Sequence, residues 1–239
     1  MSLAHRDSVF VTASLKSLPF AGKVHFVPAR LAVLPQYLLP KKTLTALAGA
    51  FARAEAGALT TGAIRWFVKR YGVDMQEAAF ADIRDYRTFN DFFTRELKAG
   101  SREMAHSDFI CPVDGAISQF GAIDRDTIYQ AKGHSYTTTA LLGGDKSSAM
   151  RYENGWFATL YLSPRDYHRI HMPCDGKLES MTYVPGALFS VNPTTARGVP
   201  GLFARNERVV CEFSTAYGPI ALVLVGATIV GSMATVWHL

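Results

Sequence analysis

The sequence predicts an α+β fold, with a basic helical N-terminal part packed on a β-rich antiparallel body. Three observations carry that expectation. From Leu31 to Tyr71 apolar residues recur at helical spacing, whereas from about Phe109 onward short apolar runs alternate with Gly, Pro and Asp. Charge divides the same way. Residues 1–70 carry ten Lys and Arg against two acids, Asp7 and Glu55, while the remaining residues are slightly acidic within a net charge of +5.

Residues 1–30 show no clear period and read as a leader without regular structure. Residues 31–100 form the helical part. Thr43 is an expected N-cap, followed by Leu44, Leu47, Ala48 and Phe51 on one face; Gly57 and Gly62 interrupt the run, and Ile64, Phe67, Val68 and Tyr71 resume it. A further short helix falls within 82–98, with Thr88 as cap and Phe89, Phe92, Phe93 and Leu97 facing inward. Residues 101–239 form the β-rich body, with strands expected at Ile110–Gly115, Ala116–Ile123, Trp156–Leu162, Lys177–Val184, Arg208–Phe213 and Ile220–Val230. Gly218 to Trp237 has the length and apolarity of a membrane span. Its glycines, Pro219 and clustered β-branched residues instead predict two buried strands joined through a glycine.

At 239 residues and 49% apolar composition the chain can bury a full core, which excludes global disorder. Cys111, Cys174 and Cys211 are too few and too far apart for a disulfide framework or a zinc site, and point to a reducing compartment. The basic segment suits an anionic surface. A membrane fits better than nucleic acid, because the body lacks the basic, aromatic-studded face that strand binding needs. Apolar and basic residues mixed at helical spacing lie well in a bilayer interface, although a helical hairpin packed on the body shows the same period.

The densest reactive cluster is Tyr161-Leu-Ser-Pro-Arg-Asp-Tyr-His168-Arg-Ile-His171-Met-Pro. Two histidines three apart could ligate a metal, but no nearby Cys, His or Glu completes a set, so no metal is expected. Acid–base work is the alternative, since imidazole titrates near neutrality. In Pro112-Val-Asp114-Gly115-Ala, the Asp-Gly pair is first a turn signal; a carboxylate there could also orient a histidine. Tyr183 through Asn192, with Ser190 at its polar tip, together with Leu202 through Arg208, could shape a head-group pocket.

These strings, with Tyr86 through Arg95, Gln130-Ala-Lys-Gly-His134 and Val225 through Ser232, occur in one order over about residues 31–237. Together they closely resemble the bacterial phosphatidylserine decarboxylases. The resemblance implies a proenzyme that cuts itself at a Leu-Gly-Ser-Thr motif, the new N-terminal serine becoming a pyruvoyl group on a small partner chain. It implies that Asp114 and His171 activate that serine and that His168 serves the decarboxylation step. The reaction then converts phosphatidylserine to phosphatidylethanolamine and CO₂ through a Schiff base to the pyruvoyl group. Further expectations are attachment to the cytoplasmic face of an anionic cell membrane and a homodimer of the two-chain unit. No Leu-Gly-Ser-Thr occurs here, and Gly231-Ser232 matches a dipeptide that is not cleaved, so the pyruvoyl serine is expected on a further segment. The competing expectation is a non-catalytic lipid-surface protein that keeps the fold.

Overall fold

The computed structural model describes residues 9–12, 28–131 and 133–237. Within the stretch read as a leader, β1 (Val9–Thr12) is a strand of the main sheet and α1 (Ala29–Ala32) opens the helical part. Then come α2 (Leu34–Leu38), α3 (Lys41–Arg53) and α4 (Ala58–Tyr71). The start of α3 lies ahead of Thr43, because Pro40 ends the preceding extended turn and leaves Lys41 as the first helical residue. Gly57, at φ +53, makes the break between α3 and α4, while Gly62 lies within α4 with open space around it. A 3₁₀ turn (Ile83–Asp85) leads to α5 (Phe89–Phe93). Thr88 caps α5 as expected, in a capping box with Asp91. Phe92 is fully buried against Ile64, Val73 and Tyr86, which joins α4 and α5 in a small core of their own.

The body is a six-stranded sheet in the order β2-β5-β1-β8-β7-β6. Its strands are β2 (Ala116–Ala122), β5 (Trp156–Tyr161), β6 (Gly176–Val184), β7 (Arg208–Thr215) and β8 (Gly218–Val225), joined by β1. All neighbours are antiparallel except β1, which runs parallel to both β5 and β8. A small hairpin, β3 (Thr127–Ala131) with β4 (His134–Thr137), and the short helices α6 (Thr138–Leu141), α7 (Lys146–Met150), α8 (Pro193–Gly198) and α9 (Leu202–Arg205) complete the body.

Along β7 and β8 the side chains alternate between two cores. Val210, Ala221 and Val223 pack with Leu141, Tyr152 and Phe203, while Cys211, Phe213, Ile220 and Leu222 pack toward Phe109, Met172 and Leu178. Both faces are covered, so β8 reads as an unbroken apolar run. Only the first half of Gly218–Trp237 is strand, in contrast to the two expected. Val225 pairs with Arg208, the first residue of β7, and the pairing ends one bond further, where Gly226 N donates to Glu207 O. The chain then turns off through Gly226, and Leu188 O and Thr45 Oγ1 capture Thr228 and Ile229. No helix among the described residues is long and apolar enough to cross a membrane.

Candidate active site

Antiparallel pairing of β2 with β5 sets Ala116 opposite Tyr161. That register brings the residues just before β2 against those just after β5. The Asp114-Gly115 pair does not form a hairpin turn: it lies in a bend leading into β2, and the φ of Gly115 is not positive. The glycine is required by space, since a Cβ there would lie 2.5 Å from Tyr161 O. Asp114 thereby sits beside the loop of residues 162–175.

Three sets of contacts shape that loop. Ser163 N donates to Asp166 Oδ2 at 2.6 Å and Asp166 N to Ser163 O at 2.9 Å, which closes its first turn. His171 N donates to Pro112 O and Ile110 N to Pro173 O, both at 2.9 Å, pinning its far end to the segment that carries Asp114. From the helical part, Arg95 Nη2 donates to Arg165 O at 3.0 Å and Arg169 Nε to Thr94 O at 2.8 Å.

His168 is half-buried and packs on Phe93, with ring centres 4.0 Å apart and planes tilted by 38°. Its Nδ1 is 2.7 Å from Asp166 O. A carbonyl only accepts, so Nδ1 carries the proton and, in the neutral ring, Nε2 is the acceptor. Burial pushes the His168 pKa down from 6.5, which favours that neutral form. His171 is exposed, and its Nε2 lies 3.0 Å from Tyr167 Oη. Burial raises the Tyr167 pKa, so the phenol keeps its proton; it donates to His171 Nε2 or accepts from it according to the tautomer of the ring.

Asp114 bonds neither histidine here. Its Oδ2 accepts from Arg102 Nε at 2.8 Å and also from Arg102 Nη2, which in turn donates to Glu77 Oε2 at 2.7 Å. These two carboxylates raise the Arg102 pKa, Asp114 foremost, against its partial burial. Tyr167 stands between the groups: it bonds His171, and the charge of Asp114 reaches its phenol. A cavity of about 400 Å³ opens here, lined by Glu77, Arg102, Asp114, Arg165, Asp166 and Tyr167 together with Gly72 and Asp74.

Asp114, His168 and His171 thus meet in one region, reached from β2 and the loop after β5. Ser190 is placed elsewhere: its oxygen bonds Thr195 and Asn192, and its N–H donates to Gln36 Oε1. Glu77, Arg95, Arg102 and Tyr167 carry no signal in the sequence that marks them for a role. Tyr167 and Arg95 stand inside recognisable motifs, but only the tertiary contacts show what each touches.

A family model described as phosphatidylserine decarboxylase matches residues 89–238, and a second, described as PSD, matches residues 31–72. The chain belongs to the phosphatidylserine decarboxylase family. Among its relatives, the phosphatidylserine decarboxylase proenzyme of Dechloromonas aromatica (strain RCB) is 73% identical over 209 residues, 87% of this chain and 74% of that protein. The proenzymes of Azoarcus sp. (strain BH72) and Herminiimonas arsenicoxydans are 72% and 70% identical over the same length. The family match spans both the helical part and the body, and therefore the elements that build the site.

Proposed function

We propose that this chain is the large-subunit part of a phosphatidylserine decarboxylase, which converts phosphatidylserine to phosphatidylethanolamine and CO₂. The observation that carries the reading is the convergence of Asp114 with the His168–His171 loop, inside a chain about 70% identical to named proenzymes. The cofactor is a pyruvoyl group made from a serine on a further segment of the precursor; when present it supplies the electron sink for loss of CO₂. The residues fit such a group: the cavity beside Asp114 is polar and of a size for a small head group, and two of its lining residues, Asp166 and Tyr167, contact His168 and His171.

In maturation, His171 is the base that takes the proton from the serine hydroxyl, a weak nucleophile until deprotonated. Tyr167 holds its ring by accepting the Nε2 proton, which leaves Nδ1 free as the base, and the nearby charge of Asp114 favours the imidazolium. In turnover, neutral His168 accepts a proton at Nε2 from the head-group ammonium and returns it once CO₂ has left. The buried, uncharged ring makes proton transfer, rather than charge pairing, its part in the reaction.

The substrate is a lipid, and residues 31–71 supply a surface for reaching it. Leu31, Leu34, Leu38, Leu47, Phe51 and Trp66 are exposed there beside Lys41, Lys42, Arg53, Arg65, Lys69 and Arg70. Such a surface lies in the interface of an anionic membrane, and we place it on the cytoplasmic leaflet. The deciding experiment extends the precursor with the Leu-Gly-Ser-Thr segment of the family. Self-cleavage into two chains and CO₂ release from phosphatidylserine are the expected results; an intact precursor carrying unaltered Asp114 and His171 would overturn the assignment.

A further inference from the structure

Four consecutive residues at the end of α5 hold the histidine loop. Phe93 packs on the His168 ring, Thr94 O and Glu96 Oε1 accept from Arg169, and Arg95 donates to Arg165 O. Arg95 is the unusual member. Its side chain has no exposed surface, yet Nε and Nη1 have no partner among the described residues, and its ion-pair partner Glu77 is 3.9 Å away. The guanidinium also lies over the Phe92 ring, 5.5 Å from its centre, but replacing a buried charge of this kind by a hydrocarbon side chain is often neutral or stabilising. Its position beside the loop gives a reason to keep it.

We propose that Arg95 is a positioning residue that acts through His168: it ties the histidine's loop to the end of α5 and fixes a positive charge at the carbonyl of Arg165, next to the Asp166 carbonyl that holds the imidazole. The charged groups facing His168 are Asp166, on its own loop, and Arg95, from the helical part. Asp166 gives its backbone carbonyl to Nδ1 and its carboxylate to Ser163 N, so it fixes the tautomer and the turn. Arg95 opposes protonation, in the same direction as burial, and Phe93 beneath the ring excludes water from one side. The proposal rests on His168 working as a neutral proton acceptor in decarboxylation.

The test follows His168 by NMR in the full precursor and its processed form, with ¹⁵N-labelled histidine and His168→Gln to assign the signal. Arg95→Gln keeps a donor for Arg165 O without the charge, whereas Arg95→Lys keeps the charge. The wild-type ring should titrate below the ordinary value of 6.5. Arg95→Gln should move the titration to higher pH and carry the acid limb of the kcat profile with it, while Arg95→Lys stays near wild type. At neutral pH the glutamine variant should lose about 10-fold in kcat, within what small misplacement of a working group costs. Equal shifts in the two variants would overturn the proposal, as would a wild-type titration at or above 6.5, a result that needs no variant to fold. A normal decarboxylation rate in His168→Gln would instead remove the role of His168 and leave the Arg95 coupling measured on its own.

Discussion

At the scale of single residues, the site divides its two histidines by environment. His171 is exposed and bonded to a phenol, whereas His168 is half-buried on an aromatic ring. His171→Ala and Asp114→Ala in the extended precursor should therefore leave it uncut, seen as a single band on a denaturing gel. His168→Ala should be cut normally and release CO₂ about 10²-fold more slowly, the lower end of what a positioned acid–base group contributes. The same burial has a consequence for stability. The folded pKa of His168 lies below 6.5, so only the unfolded chain readily binds the proton as pH falls past that value. Stability from this group is present above 6.5 and is lost on acidification. Denaturant titrations of His168→Asn should show a shallower loss below that pH than wild type; parallel curves would contradict it. The two histidines are legible as a cluster because they share one short string. The pairing of Asp114 with Arg102 is not, since it joins a strand entrance to a loop through tertiary contact alone.

Elements explain which parts of the sequence can be read and which cannot. Where a strand pairs along its whole length, as in β2, β5, β6 and β7, the apolar runs foretell it within a residue or two. The pattern misleads where the ladder runs out: residues 226–237 keep the composition of a strand, but β7 offers them no partner. The β3–β4 hairpin and the four short helices of the body leave no such mark, since elements of four to six residues are too short to display a period. Glycine shows the same limit from the other side. Gly57 and Gly62 look alike in sequence, yet one breaks a helix and one does not. Gly62→Ala should stabilise the chain by about 0.5–1 kcal/mol, because it replaces an open helical glycine with the best helix former. Gly115→Ala should destabilise it by roughly 1–3 kcal/mol and impair processing, because its methyl meets the backbone of Tyr161. Thermal melts of the pair check both; equal shifts in one direction would refute the reading of either site.

For the whole molecule, the apolar and basic helices occupy one segment, and the β body carries the candidate site. Binding to anionic vesicles should require residues 31–71 and weaken as salt rises, because the attraction of surface cations is screened within about 8 Å at physiological ionic strength. Replacing Leu38, Leu47 and Trp66 by serine should release the extended precursor from vesicles in a flotation assay while leaving CO₂ release from a water-soluble short-chain substrate intact. Retention on the vesicles would assign attachment to another surface. A different consequence follows from the register of β2 with β5. The β6–β7–β8 meander pairs neighbours in sequence, its last turn closing between Thr215 and Gly218, whereas Asp114 reaches the histidine loop only once residues around 116 find those around 161. Closing the longer loop carries the larger entropic cost and comes late in folding. On the proposed reading, self-cleavage is timed by folding: the bond breaks only in a chain whose most distant antiparallel strand contact is already made, and an immature precursor is protected by its own topology.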